Sequence, residues 1–351
     1  MKTEPDNLLD KVCVIIVTYN HANYMVKCLN SIYSQGPVEI VIVDNNSTDE
    51  TTEIIENNFQ SVKLIKNTEN LGFSQGVNCG VSHSTRDNIM VLNPDTWTEK
   101  NSILNLLKPL INQENIVTVP KVLIYDGSVI NTIGNTQHVT GLSFTRYFGE
   151  NPENHQQSNF ITGLSGVCFA MRRNDYLKLG GFDRKFFIYM EDVEMSWKIN
   201  SNGFQILYVP NSIIYHDYEL NVTARKLYHL EKGRYYILRK YFTWREYLII
   251  SPSLLTSEVL TWGFSIIRGP NGLKYKIKAI IDAFRIEISD NDINHRKLLE
   301  NLDWEIPIDQ LSYNVLDRSL RRVANFIYTT NQKLIKTKLK TKVKIPTKAK
   351  N

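Results

Sequence analysis

The chain has 351 residues, 42% of them apolar and 22% charged, an ordinary globular composition that excludes wholesale disorder and allows one large α/β domain with an appendage, or two domains. The net charge of +5 is concentrated: residues 331–351 carry eight lysines and no acid, and setting those eight aside takes the rest of the chain to −3. That placement excludes a broad nucleic-acid-binding face and leaves two readings of the basic end, a solvated tail or a contact with anionic lipid worth about 1 kcal/mol per lysine.

The first eleven residues, MKTEPDNLLDK, are polar and lack the apolar core of a secretory leader. Val12–Thr18 (VCVIIVT) is a continuous β-branched run, which predicts a strand covered on both faces. Residues 22–33 read as a helix with Met25, Leu29 and Ile32 on one stripe. EIVIV at 39–43 predicts a second buried strand, ended by DNNSTDE, where Ser47 or Thr48 is placed to cap a helix over 50–57. A third strand at 62–65, a helix at 76–82 and a fourth strand at 88–92 (NIMVL) follow. Strand and helix alternate, so the expected fold is doubly wound α/β with a mostly parallel sheet.

After about residue 116 the pattern loosens. Strands are expected at 117–125, 129–133, 137–148, 166–171, 205–208 and 212–215, and the prolines and asparagines of 149–159 suggest a mobile loop. Residues 224–247 are basic, aromatic and helical. Residues 247–267 are long enough to tempt a transmembrane reading, but Pro252, four serines, two threonines and Glu258 interrupt them, whereas a span needs roughly 20 mostly apolar residues. An interfacial helix pair carrying Trp262, or a buried packing helix, is the expectation. Cys13, Cys28, Cys79 and Cys168 have no paired spacing, which argues against a zinc site or a disulfide framework and for a reducing compartment. Asn221-Val222-Thr223 formally matches a glycosylation acceptor, a match with little meaning without secretion.

In an open parallel sheet, ligands bind beyond the carboxyl ends of the strands. That rule selects Thr18-Tyr19-Asn20, Asp44-Asn45-Asn46-Ser47, Asn93-Pro94-Asp95 and the glycine-punctuated stretch from Asn70 to Asn78. Each has a bland alternative. Asp44 can cap a turn, Asn93-Pro94-Asp95 is a good β-turn sequence, and the glycines can serve packing alone. Gly163-Leu164-Ser165-Gly166 suits close approach of a ligand to the backbone, and Arg172 and Arg173 are either phosphate contacts or solvated. The remaining oddity is FFIYMEDVEMSWKI at 186–199, where Glu191 and Asp192 sit in an otherwise apolar run. They either start a helix, whose dipole favours acids in the first turn and keeps Asp192 ionised, or face a cleft that needs charge. Val193 and Trp197 are expected to pack inward.

VTYN at 17–20, VDNNSTDET at 43–51, NLGFSQGVNCG at 70–80, LNPDT at 92–96 and the long stretch at 180–216 ending in SIIYH together resemble glycosyltransferase family 2, in its rhamnosyltransferase-like members. The resemblance covers roughly residues 11–245. It implies a GT-A (Rossmann-like) nucleotide-sugar-binding domain over 11–245, after a short N-terminal tail at 1–10. Outside the resemblance, residues 246–330 are expected to be a C-terminal helical region before a Lys-rich tail at 331–351, and the basic, aromatic stretch 224–267 with that tail suggests membrane association. The resemblance also implies that Asp192 is the catalytic base beside Glu191. Thr18, Tyr19, Asn20, Asp44, Asn70, Gly72, Asn93 and Asp95 would bind the donor. Asp95 and His216 would hold a divalent metal, Mg²⁺ or Mn²⁺. The family's Asp-x-Asp reads Asn93-Pro94-Asp95 here, so Asp95 alone can supply the anionic ligand.

The function implied is inverting transfer of one sugar, rhamnose-like or another hexose, from a nucleoside diphosphate donor to a glycan or lipid-linked hydroxyl. The work would be cytoplasmic or peripheral on the inner face of the cell membrane, with an anionic membrane surface as partner and no nucleic acid. A nucleotide-sugar-binding protein without catalysis is one alternative. A processive polysaccharide synthase is another, although its Gln-x-x-Arg-Trp motif is missing, and a nucleotidyltransferase would want a glycine-rich loop with a basic residue where VTYNHANY stands.

Overall fold

The computed structural model describes residues 6–218, 221–288, 293–310 and 315–341. After a short helix α1 (Asp6–Leu9), the first half alternates β1 (Val12–Thr18), α2 (Ala22–Tyr33), β2 (Glu39–Asp44), α3 (Thr51–Asn58), β3 (Lys63–Lys66), α4 (Gly72–His83) and β4 (Asn88–Leu92). There follow β5 (Thr96–Thr98), α5 (Ser102–Asn112), β6 (Ile116–Ile124), β7 (Ile130–Thr132), β8 (Asn135–Gln137), β9 (Ser143–Thr145), β10 (Asn159–Ile161), β11 (Cys168–Arg172), α6 (Arg173–Lys178), α7 (Glu191–Ser201) and β12 (Gln205–His216). The chain ends in helices: α8 (Ala224–Tyr241), α9 (Trp244–Ile267), α10 (Gly269–Arg285), α11 (His295–Asn301) and α12 (Val315–Thr341).

The central sheet has the order β10-β12-β6-β11-β4-β1-β2-β3. β1, β2, β3 and β4 pair in parallel, as do β6 and β12, while β11 runs antiparallel between β4 and β6. Consequently the carboxyl ends of β1, β2, β4 and β12 and the amino end of β11 share one edge of the sheet. Alternate residues feed two cores. Ile15, Val17, Val43 and Val91 meet Val77 and Val81 of α4 and Met195 and Ile199 of α7, whereas Val14, Ile16, Ile42 and Met90 meet Met25 and Leu29 of α2 and Leu106 and Leu107 of α5. Both faces are covered, which is why the strand sequences are continuously apolar.

Several expected boundaries move. The helix predicted at 76–82 begins at Gly72, and Gly76 and Gly80 lie inside it: an added Cβ would stand 2.6 Å from Val17 and 2.4 Å from Ile15, so these glycines let α4 press onto β1. Neither Ser47 nor Thr48 caps α3; its N-cap is Glu50, and the Ser47 hydroxyl bonds the Asp44 carboxylate instead. The strand expected at 137–148 is the β8–β9 hairpin, and 205–208 with 212–215 form one strand bulged between Val209 and Ile213. Residues 149–159 contain a 3-10 turn at Pro152–Asn154 and the start of β10, and none of them lines the main cleft. Residues 247–267 belong to a single helix rather than a pair. Pro252 takes one donor from α9, and Ser251 Oγ donates to the Leu248 carbonyl at 3.0 Å. The Lys-rich end is helical through Thr341; its last ten residues lie outside the described ones. The boundary expected at 245/246 falls inside α9. Among the described residues, no helix is long and apolar enough to cross a membrane. The four cysteines are free.

Candidate active site

A cleft of about 1020 Å³ opens at the shared sheet edge. Asn93, Asp95, Gly166, Glu191, Asp192 and His216 all line it, so residues spread over more than a hundred positions of sequence meet in one space.

The Glu-Asp pair starts α7. Two consecutive residues before it, Tyr189 (φ 65°) and Met190 (φ 71°), adopt the left-handed conformation, which for bulky side chains costs of order 1–3 kcal/mol each. The surrounding packing holds that kink. Gly233 of α8 lies under Met190, where an added Cβ would be 2.5 Å from the Met190 Cβ. Gly72 (φ 79°) meets the same loop from the other side: its Cβ would be 2.2 Å from the Phe187 carbonyl, which accepts from Phe73 N–H at 2.7 Å. Val193 and Trp197 pack inward as expected. Glu194 turns away from the cleft and bonds Lys240 and Tyr241, both at 2.8 Å.

Asp192 and Glu191 are not equivalent. Asp192 Oδ1 accepts from Val193 N–H at 2.8 Å, and Oδ2 accepts from the Asn135 side-chain amide at 3.0 Å and from Gly166 N–H at 3.2 Å. Glu191 is buried and its Oε2 has no hydrogen-bond partner. Burial pushes the Glu191 carboxyl up to about 8, with the charge of Asp192 adding to the effect. Burial also raises Asp192, against the lowering by its donors. Asp192 does stand in the first turn of α7, where burial works against its charge and its N–H donors work for it. The three donors place the negative charge on Asp192 and leave the proton to Glu191.

On the facing side, Asp95 Oδ1 stands 3.3 Å from His216 Nε2, out of line for a hydrogen bond, and is otherwise without a partner. His216 Nδ1 lies 2.9 Å from Asn131 Oδ1. Two states of the ring are open: with Nδ1–H donated to that oxygen the neutral ring offers Nε2 as a lone pair to a cation, and with Nε2–H it presents a donor and positive charge to the Asp95 carboxylate. Burial raises Asp95, but His216 and His21 more than offset this and hold it below the usual carboxylate range. One carboxylate and one imidazole fit a divalent cation only if phosphate oxygens and water complete the shell. No cluster of three or more His, Cys, Asp or Glu with metal-site geometry exists among the described residues. Asn93-Pro94-Asp95 is also the turn its sequence suggests, closed by Thr96 Oγ1 on the Asn93 carbonyl at 2.6 Å.

The remaining expected donor residues form a second cluster at the same edge. Thr18 pairs with Asp44 across β1 and β2. Asp44 accepts from Ser47 N–H at 2.9 Å, Asn20 N–H donates to Ser47 Oγ at 2.9 Å, and Asn20 Oδ1 accepts from Thr48 N–H at 2.8 Å. Asn70 Oδ1 accepts from Gly72 N–H at 2.9 Å, the Gly72 carbonyl accepts from Asn45 at 3.0 Å, and Tyr19 is exposed. None of these side chains lines the main cleft. The link is His21, which does line it and whose imidazole feels the charges of Asp95, Asp49 and Asp44, while burial lowers its basicity. Arg172 and Arg173 play no part: they bond Leu110 and Val81 carbonyls.

Among the lining residues, His21, Asn131, Asn135 and Lys226 escaped the sequence reading. His21 follows VTYN directly and was within reach. Asn131 and Asn135 lie in a stretch rich in asparagine, with nothing to mark them. Lys226 resembles every other base of α8, yet it lines the cleft with no carboxylate within ion-pair distance among the described residues, and its ammonium sits 5.1 Å and 5.5 Å from the Tyr189 and Tyr218 ring centres. Tyr218 in turn stacks on His216. Burial lowers the Lys226 ammonium.

Residues 13–180 match the family model described as "Glycosyl transferase family 2". The N-acetylglucosaminyl-diphospho-decaprenol L-rhamnosyltransferase of Mycobacterium tuberculosis is 27% identical over 237 residues, covering 60% of this chain and 76% of that one. Among solved structures, S. aureus TarS 1-349 in complex with UDP superposes with a TM-score of 0.54 at 17% identity, covering 93% of this chain and 91% of that one. GalNAc-T7 with UDP, GalNAc and Mn²⁺ reaches 0.58 at 19% identity over 78% of this chain, which spans 55% of that larger protein. The likenesses to solved structures establish the GT-A-like fold, and the sequence matches establish the class of enzyme. The chain carries a glycosyl transferase family 2 domain and is a glycosyltransferase.

Proposed function

We propose that the enzyme transfers a single sugar, with inversion, from a nucleoside diphosphate donor to a hydroxyl of a glycan or lipid-linked acceptor. The observation that carries this reading is Asp192, held by three N–H donors in the same cleft as Asp95, His216 and Lys226. The acceptor oxygen attacks the anomeric carbon as the bond from that carbon to the diphosphate oxygen breaks. The acceptor proton passes to Asp192, and the bonding electrons leave with the nucleoside diphosphate. Asn135 and Gly166 N–H orient the base. Glu191, holding its own proton, keeps a second negative charge away from it. Lys226 supplies positive charge for the departing diphosphate, which matters because the sheet edge offers one acidic ligand where relatives with Asp-x-Asp offer two.

Asp95 and His216 would hold a divalent cation, Mg²⁺ or Mn²⁺, through a carboxylate oxygen and Nε2. That ion would add Lewis-acid neutralisation of the diphosphate. Support comes from the unpartnered Asp95 oxygen and from the Mn²⁺ present beside UDP in the GalNAc-T7 structure. Thr18, Tyr19, Asn20, Asp44, Asn70 and Gly72 are assigned to the nucleoside side, where His21 connects them to the cleft. The name of the mycobacterial relative favours a rhamnose-like donor and a lipid diphosphate acceptor, and hence a peripheral position on the inner face of the cell membrane.

A panel of nucleotide sugars, with and without Mn²⁺, tests the reading by donor hydrolysis and thermal stabilisation. Asp192→Asn should bind the identified donor as the wild type does, with turnover reduced roughly 100- to 10,000-fold. Undiminished turnover in that variant would take the base role from Asp192, and a wild type that binds a donor but turns none over would return the chain to the reading of a sugar-nucleotide-binding protein.

A further inference from the structure

Helices α9, α10 and α12 bury polar side chains alongside Ile250, Ala279, Ala283, Ala324 and Ile335, and expose many apolar ones. In α9 the buried side carries Ser253, Ser257 and Ser265, whereas Trp244, Leu248, Leu255, Val259 and Ile266 are exposed and fall on one face at helical spacing. In α10 Lys276 is buried and Ile277, Ile281 and Phe284 are exposed. In α12 Arg321, Tyr328 and Asn331 are buried, while Leu316, Leu320, Val323, Phe326 and Leu334 are exposed. The inward polar groups are satisfied: Asn331 donates to Ser253 at 2.9 Å, Ser257 bonds Tyr328 at 2.8 Å and Thr140 at 2.7 Å, and Lys276 meets Glu231 at 2.7 Å. An arrangement of this kind suits an apolar surrounding, and exposed apolar faces on neighbouring helices mark an interaction surface. Exposed Arg245, Lys274 and Arg322 flank it, which complements anionic headgroups.

The second observation is that the cleft reaches this face. Val259, Ile267, Leu316 and Leu320 are exposed members of the patch and also line the cleft. Leu142, Phe144 and Leu260, which pack in one cluster with Ile306, and Phe264 line the cleft too, beside the charged Glu231, Arg234, Asp317 and Arg321. A water-soluble acceptor needs no such lobe. We infer that it holds the hydrocarbon chain of a lipid acceptor, which slides in between α9 and α12 from a bilayer seated on the exposed faces of α9, α10 and α12. The inference rests on the transfer reading above and specifies its acceptor: an amphiphile whose reactive head lies at Asp192 while its chain stays in apolar surroundings.

The test compares two phosphates that differ only in their chain, geranylgeranyl phosphate below its micellar concentration and methyl phosphate, by calorimetry on the full chain. Each buried methylene multiplies affinity roughly fourfold, so the long chain should bind at least about 100-fold tighter. Leu260→Trp, which fills the lobe, should remove about tenfold of that advantage and leave affinity for the donor found in the panel unchanged. Equal binding of the two phosphates by the wild type overturns the inference, whether or not the variant folds. Vesicles of phosphatidylcholine and phosphatidylglycerol with brominated chains should quench the tryptophan fluorescence contributed by Trp244 and Trp262, and unquenched emission overturns entry from a bilayer. Donor turnover without a chain-length preference sinks the lobe alone. A chain-length preference in a protein that turns over no donor sinks the transfer reading and, with it, the assignment of the lobe to an acceptor.

Discussion

In β1 every residue from Val12 to Thr18 is buried, and the neighbouring helices turn their polar sides to water. In α9 Ser253 and Ser257 are buried while Leu255 and Val259 stand 68% and 72% exposed. One chain thus follows two rules of placement. The sheet half keeps its apolar side chains inside, and helices α9, α10 and α12 also carry apolar side chains on the outside. Glu191 and Asp192 sit where the two halves meet, because α7 packs on the sheet through Met195 and Ile199 and on α8 through Val193 and Trp197.

The largest effect on stability should come from the half that follows the aqueous rule. Ile15→Ala removes a fully buried side chain in contact with α4 and should cost about 2–5 kcal/mol in denaturant unfolding. A loss under about 1 kcal/mol would mean that the sheet is not the rigid part. Next in size is the charge that the helical half lends to the site. Lys226→Met should lower turnover roughly 10- to 100-fold while leaving stability near wild type, and should raise the dependence on added Mn²⁺. A variant that loses stability and activity together would make Lys226 structural.

Gly233→Ala tests the mechanical link. Its methyl group collides with Met190 and should cost about 1–3 kcal/mol, together with reduced turnover, because Glu191 and Asp192 follow Met190. Unchanged activity would show that α8 only leans against the catalytic loop. Glu191 offers a subtler probe. Its folded-state pKa is raised to about 8 from 4.5, so the folded protein holds a proton through that window that the unfolded chain has released. Its contribution is therefore fully present at low pH and is lost as pH rises, by at most about 1.4 kcal/mol per unit. Glu191→Gln should match wild-type stability near pH 4 and exceed it at pH 9. Parallel stability curves would remove the proton from Glu191.

The aqueous half was readable because its rule is local. β1 and α2 fall at the expected boundaries, and continuous β-branched runs implied both-face burial without any tertiary information. Gly76 and Gly80 were harder, since a glycine that ends a loop and one that admits a strand look alike in sequence. The order of the sheet-edge motifs was legible, and Asp95, His216, Glu191 and Asp192 do meet in one cleft. Asn135 was not, because its value lies in a hydrogen bond to a residue 57 positions away. In α9 the serines read as interruptions of an apolar span, whereas three of the four lie on its inner side; periodicity reports two faces and does not say which one is wet.

The smallest expected effect is also the most direct probe of that last point. Leu255 lies on the outer face of α9, and replacing a surface-exposed side chain typically changes stability by less than about 0.5 kcal/mol. In bilayer-free solution Leu255→Lys should therefore unfold with the wild type, in contrast to Ile15→Ala. With vesicles present the comparison reverses: a lysine on a face that seats in hydrocarbon should weaken vesicle binding measurably, while Ile15→Ala, whatever its cost to folding, should partition as the wild type does for as long as it remains folded. If Leu255→Lys instead destabilised the protein in plain buffer, the face would be covered by protein, and the inverted pattern of α9 would belong to a protein interface rather than to a membrane.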